Sequence, residues 1–284
     1  MTRSQTPPAT AVESGSSPRT DGLFDAALQC LRHEDPAAKT AATAAAASAW
    51  REGALSPTSS SPVQPIAAPG RPQRPRLVAP RELARRSAQS QEGRAALIHS
   101  LCHIEFNAIN LAWDAVYRFR EMPREYYDDW VRVAEEEAYH FTLLREHLNT
   151  LGHDYGDFDA HDGLWEAARE TAHDPLVRMA LVPRVLEARG LDVAPGIADK
   201  LHAGGDERAV AILDIIQRDE VGHVAIGSRW FNYLCAQRGL APAPTFRRLL
   251  DEHMPGRVRG PLHRSARIAA GFTEQELDYL EAMI

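Results

Sequence analysis

Apolar residues recur at helical spacing from residue 91 to about 237, and at four places a charged residue interrupts them on the buried side. From residue 91 to about 120 the series Ile98, Leu101, Glu105, Ile109, Ala112 and Val116 follows one helix face and passes through Glu105. A second stripe, Trp130, Val133, Glu137, His140, Leu144 and Leu148, predicts a helix over about 123–150, with Pro123 opening it and Gly152 ending it. Helical character resumes at Trp165, is punctuated at Asp174-Pro175 and runs to Gly190, with Ala180 and Glu187 beside Val177, Leu181 and Leu191. Pro183 is expected to disturb that helix. A short segment leads through Gly204-Gly205 to a last long helix over about 206–237, where Ile212, Ile216, Val224, Ala225 and Trp230 flank Glu220 and His223.

Strand-like alternation is absent, so the expected class is all-α. Ahead of the long helices, residues 21–53 read as a small helical unit, in which Asp35 caps a helix begun by Pro36 and stopped by Gly53. Residues 54–89 are rich in Pro, Ser and Ala and read as an extended linker. The expected organisation is a disordered tail at 1–20, the helical unit at 21–53, the linker at 54–89, a four-helix bundle at 90–240 and a helical extension at 241–284. In that extension Thr273 and Glu276 form the signature of a capping box.

Composition adds exclusions. The 284 residues are 44% hydrophobic and 25% charged, with a formal net charge of −7, so a broad basic surface for nucleic acid is not expected. The runs "RPQRPR" and "RELARR" leave room only for a local basic patch. Three scattered cysteines, Cys30, Cys102 and Cys235, argue against a disulfide framework and fit a reducing cytoplasm. No apolar run reaches the length of a membrane span, and the polar N-terminus carries no apolar signal core.

The interrupting residues carry the chemistry. Glu137-Ala-Tyr-His140 and Glu220-Val-Gly-His223 repeat one motif, Glu-x-x-His, which places both side chains on one helix face about one turn apart. A lone motif of this kind is weak. Here each has a partner glutamate at a matched distance: Glu105 lies 32 residues before Glu137, and Glu187 lies 33 before Glu220. Each distance spans one long helix, a turn and part of the next. The chain therefore reads as two helix pairs separated by a long crossover, each supplying one Glu and one Glu-x-x-His. Four buried carboxylates need compensation. Two divalent cations supply it, with His140 and His223 as neutral ligands, and this ligand set is that of ferritin-like di-iron and di-manganese proteins. The metal ligands expected are Glu105, Glu137, His140, Glu187, Glu220 and His223. Zinc patterns of the HExxH or Cys/His type are absent. Among neighbours, Glu135 and Glu136 read as surface groups or as groups orienting a ligand. Asp219 reads equally as an orienter of a histidine or a surface charge. His103 falls on a different face from Glu105, His147 falls between cavity and surface roles, and Trp113 and Tyr139 read as packing aromatics.

The segments "HIEFNAINLAWDA", "YYDDWVRVAEEEAYHF", "YGDFDAHDGLW", "EARGLDVAP" and "RDEVGHVAIGSRWF" resemble the ferritin-like superfamily, and more closely a bacterial domain-of-unknown-function family, number four-five-five. The resemblance spans roughly residues 21–272. It implies a ferritin-like four-helix bundle with a long crossover and distant kinship to a di-iron enzyme that hydroxylates a modified transfer-RNA base. The function expected is a di-iron oxidoreductase that activates dioxygen to oxidise or hydroxylate an organic substrate. In that reading Glu137 and Glu220 are the catalytic bridging ligands, Glu105 and Glu187 are terminal, and the cofactor is two iron ions, with manganese or a mixed pair as alternatives. No flavin, haem or iron–sulfur motif occurs, so a separate reductase or the substrate would supply electrons. Ferroxidase or metal-handling activity and a metal-stabilised partner-binding scaffold remain the alternatives, and a homodimer is left open.

Overall fold

The computed structural model describes residues 22–284 apart from Ser60 and Arg85, so the expected tail at 1–20 lies outside the described residues. Among the described residues the chain is all-helical, with two isolated β-bridges, Gly22 to Ser56 and Leu77 to Ala160. Two short helices, α1 (Leu23–Arg32) and α2 (Pro36–Arg51), come first. Asp35 accepts from the Ala38 N–H as N-cap of α2, with Pro36 at its first position. Gly53, at φ 73°, turns the chain out of that helix in a conformation a Cβ disfavours.

Residues 54–90 run without a long helix, but their backbone is tied down. Trp165 Nε1 donates to the Ala67 carbonyl at 3.1 Å, and the Gln64 N–H donates to the Tyr117 hydroxyl at 2.8 Å. The Val78 N–H donates to the Ala160 carbonyl and the Ala160 N–H to the Arg76 carbonyl, beside the Arg76–Asp159 pair.

Helix α3 (Gln91–Arg118) turns at 119–123 into α4 (Arg124–Thr150), and the two pack along each other. A crossover follows through α5 (Gly163–Glu170). Next come α6 (Pro175–Leu181), a π-helical segment (Val182–Glu187) and α7 (Ala188–Ala203), which together face α8 (Glu207–Gln237). The chain closes with α9 (Pro242–His253), α10 (Arg264–Ala269) and α11 (Glu274–Ala282). Helix α4 also packs on α8, and α1 and α2 cover α3 and α4. The core between them is dense with Trp50, Trp113, Phe106, Phe141, Tyr126 and Phe231, all fully or nearly fully buried.

One departure from the sequence reading sits in the third long element. Gly190 does not end it: the helix continues to Ala203 with Pro195 inside. Pro183 disturbs it as expected, and the disturbance takes the form of the π segment that ends on Glu187. Gly227 of α8 makes room for that proline, since a Cβ there would lie 2.4 Å from the Pro183 Cβ. No helix among the described residues is long and apolar enough to cross a membrane. All three cysteines are free and buried.

Candidate metal centre

The four interrupting positions converge on one buried spot. One ligand atom each from Glu105 on α3, Glu137 and His140 on α4, and Glu220 on α8 lies within 4.8 Å of every other. Glu105, Glu137, His140 and His223 are buried, and the Glu220 side chain is only 14% exposed. His223 joins this group: its Nδ1 is 3.0 Å from Glu137 Oε1 and 3.5 Å from Glu220 Oε1. Glu187, at the end of the π segment, lines the same cavity as Glu105, Glu137 and Glu220, but no ion pair ties it to the cluster.

Each histidine has an inner and an outer nitrogen. His140 Nδ1 faces Glu137 Oε2 at 3.4 Å and Glu105 Oε2 at 3.6 Å, while its Nε2 bonds Asp219 Oδ2 at 3.1 Å. His223 Nε2 bonds Glu136 Oε2 at 2.7 Å, with Nδ1 turned inward. The two clamps are reciprocal. Asp219 immediately precedes Glu220 on α8 and holds the histidine of α4, while Glu136 immediately precedes Glu137 on α4 and holds the histidine of α8. An ionised carboxylate can only accept, so each Nε2 carries the hydrogen, and a neutral ring then points its Nδ1 lone pair at the carboxylates. Three inner atoms, Glu105 Oε2, Glu187 Oε2 and His223 Nδ1, are inaccessible to solvent and have no hydrogen-bond partner.

The protonation pattern reflects the same crowding. Burial, then the charge of Glu137, drives the Glu105 carboxyl well above its usual range. Burial, then Glu220, pushes Glu187 up to about 8. Glu220 is raised by burial and by Glu137. Burial opposes ionisation of Glu137 as well, yet His223 and His140 hold its carboxyl well below the usual value. Burial disfavours the charged form of His140 too, but the adjacent Glu105 and Glu137 carboxyls raise it to about 11. Taken as polypeptide alone, the cluster gathers protons to neutralise itself. Carboxylate oxygens and neutral imidazoles that must lose those protons form a donor set that divalent cations match.

Beside the cluster opens a cavity of about 370 Å³. Leu101, Ile104, Ala108, Leu191, Ile197 and Ile216 supply much of its wall, and the four glutamates line it at one side. His103 also reaches this wall, buried, with Nδ1 on the Tyr155 hydroxyl and Nε2 on the His161 carbonyl, both at 2.9 Å. His147 instead serves the frame. Its Nε2 bonds Asp206, the N-cap of α8, at 3.0 Å. Trp113 is a packed core residue that donates to Thr43 at 2.9 Å, and Tyr139 is 52% exposed. The role of Glu136 was the least legible: about a quarter-turn from Glu137 on the helix, its side chain is 37% exposed yet reaches His223 on α8.

The family described as "Protein of unknown function (DUF455)" matches residues 32–278. The chain belongs to this family. An uncharacterised protein of Haemophilus influenzae is 51% identical over 216 residues, covering 74% of this chain and 75% of that protein. No solved structure matches.

Proposed function

We propose that this family member is a ferritin-like di-metal carboxylate oxidoreductase that uses dioxygen to oxidise or hydroxylate an organic substrate. The observation that carries the reading is the pair of inward-facing Nδ1 atoms, each fixed by an outer carboxylate and each turned toward carboxylate oxygens. Lone pair against lone pair in a buried site is repulsive, and either protons or cations between the groups relieve it; six converging donors from four helical segments suit cations. Glu105, Glu137, His140, Glu187, Glu220 and His223 would hold two cations. Iron, with manganese or a mixed pair as alternatives, would supply the redox capacity for reducing dioxygen.

The chain's own residues do the rest. Glu137 presents one oxygen toward each histidine, the position from which one carboxylate can serve both cations. Asp219 and Glu136 fix the ring orientation and hold the Nε2 protons outward. The apolar wall keeps water from the inner oxygens. That wall also favours an organic substrate over plain ferroxidase activity, which needs a polar route for ions. Electrons would come from a separate reductase or the substrate, and a cytoplasmic setting fits the free, buried cysteines.

The test is metal content per chain on protein purified without added metal, followed by exposure of the anaerobically reduced sample to oxygen under spectroscopic observation. Two metals per chain and an oxygen-dependent spectral change are expected. Failure to bind two metals under any loading condition would remove the reading.

A further inference from the structure

We infer that the cavity beside the four glutamates takes an uncharged organic molecule with a hydrocarbon body. As the identity of a substrate, this rests on the di-metal reading. As the identity of a ligand, it rests on the cavity alone. The charged and polar groups in the wall, apart from the glutamates and Gln217, have partners within the protein: Asn107 Nδ2 donates to the His103 carbonyl at 2.9 Å, and His161 Nδ1 accepts from the Gly163 N–H at 3.2 Å. Asp159 is held by Arg76 through two hydrogen bonds, at 3.1 and 2.6 Å. Arg189 spends its guanidinium on the carbonyls of Arg259, Gly260 and Pro261. Both ring nitrogens of His103 are bonded within the protein, and the Ser100 hydroxyl donates to the Leu97 carbonyl at 2.7 Å.

No cation in this wall is therefore open to receive a phosphate or carboxylate head, and the glutamates repel one. A ligand must gain its affinity from burying hydrocarbon, at roughly 25 cal/mol per Å². Gln217 is the one neutral hydrogen-bonding side chain of the wall with no hydrogen bond among the described residues, so it can fix a single hydroxyl, carbonyl or amide of the ligand. The volume, about 370 Å³, suits a small molecule and not a polymer.

Two wall positions allow the cavity to be filled. A Cβ built on Gly190 meets nothing within 4 Å, so Gly190→Phe narrows the opening without a clash. Ala108, buried on α3 one turn past Glu105, can be enlarged to leucine from the opposite side. The experiment is a fluorescence titration of the full chain, metal-loaded and metal-free, with the neutral dye phenylnaphthylamine. Octanol, octyl phosphate and octylamine serve as competitors, with metal content and melting temperature measured alongside.

Saturable binding is expected. It should weaken roughly tenfold or more in Gly190→Phe and Ala108→Leu while both keep the wild-type metal content. In the metal-loaded chain, where cations take up the carboxylate charge, octanol should displace the dye at concentrations at which octyl phosphate and octylamine do not, and Gln217→Leu should weaken displacement by octanol. Unchanged dye binding in both filled variants, or equal competition by a charged octyl compound, would overturn the inference. Dye binding by a chain that takes up no metal under any loading condition would count against the di-metal centre and leave the chamber standing. Two bound metals with no dye binding would reject the chamber alone.

Discussion

Glu136 on α4 holds His223 on α8 through Nε2 at 2.7 Å, and Asp219 on α8 returns the contact to His140 on α4 at 3.1 Å. Each Glu-x-x-His helix thus orients the histidine of the other. Removing one clamp frees a ring to rotate and to change tautomer, without touching any of the six inner ligands. Glu136→Gln and Asp219→Asn are expected to lower metal affinity roughly 10–100-fold each while leaving helicity unchanged. Competition against a chelator checks this, and wild-type affinity in both variants would show that the clamps are ornamental.

Metal removal tests the charge argument directly. Each cation at a hundred times its dissociation constant stabilises a fold by about 2.7 kcal/mol, so even one site filled to this level is readable. For a chain of this size that is a rise of roughly 5 °C in melting temperature over the chelated protein. The double variant Glu105→Gln/Glu187→Gln removes two of the crowded carboxylates. Its metal-free form should melt no lower than the wild-type metal-free form, because Glu105 and Glu187 already resist ionisation there. Its metal-dependent rise should vanish. Calorimetry with and without chelator reads both outcomes.

The long helices and the inner residues were legible because one periodicity reports both. Helices expected over 91–120 and 123–150 appear as Gln91–Arg118 and Arg124–Thr150, and Glu105, Glu137 and Glu220 meet where their apolar stripes meet. What escaped depends on neighbours. Gly190 looked like a stop because an isolated helix weakens there, but packing of α7 on α8 carries the helix to Ala203. Glu136 looked ambiguous because a helical wheel gives its angle and not what stands opposite. Residues 54–89 read as an extended linker, and what the sequence withheld is where the described ones attach: their bonds to Tyr117, Ala160 and Trp165 run largely through backbone groups, which leave no pattern in side chains. The cavity was invisible for a related reason: its wall comes from α3, α7, α8 and the crossover, and no single helix carries it.

Lys39 gives a pH signature remote from the candidate centre. Its ammonium is fully buried, with Nζ donating to the carbonyls of Cys30 (2.8 Å) and Leu31 (3.1 Å) in the last turn of α1 and to Asn110 Oδ1 (2.7 Å). Burial lowers its pKa to about 7. Below pH 7 both the folded and unfolded chains carry the proton, so this group adds no slope. Between about 7 and the unfolded value of 10.5 the unfolded chain binds more protons, so stability rises with pH and levels off above it. Three good acceptors favour the charged form and temper the size, leaving a rise on the order of 1–3 kcal/mol. Lys39→Met should flatten that alkaline rise in urea unfolding measured at pH 7 and pH 10, and an equal rise in the variant would assign it to other groups.

Arg184 ties the π segment that ends on Glu187 to the end of the chain. Its guanidinium is buried against Phe231, Phe246 and Phe272, pairs with Glu276 of α11 at 2.8 Å and reaches Ser228 at 3.2 Å. Glu276 also closes the capping box with Thr273. Glu276→Leu leaves a buried cation unpaired and should cost about 3–5 kcal/mol in urea unfolding. Arg184→Met in the same chain removes the orphaned charge and should recover part of that loss, because an apolar side chain suits three phenyl rings. The double-mutant cycle isolates the pair, since the lost cap is common to both chains carrying Glu276→Leu. A double variant no more stable than Glu276→Leu alone would show that the cap, and not the ion pair, fastens α11 to the π segment.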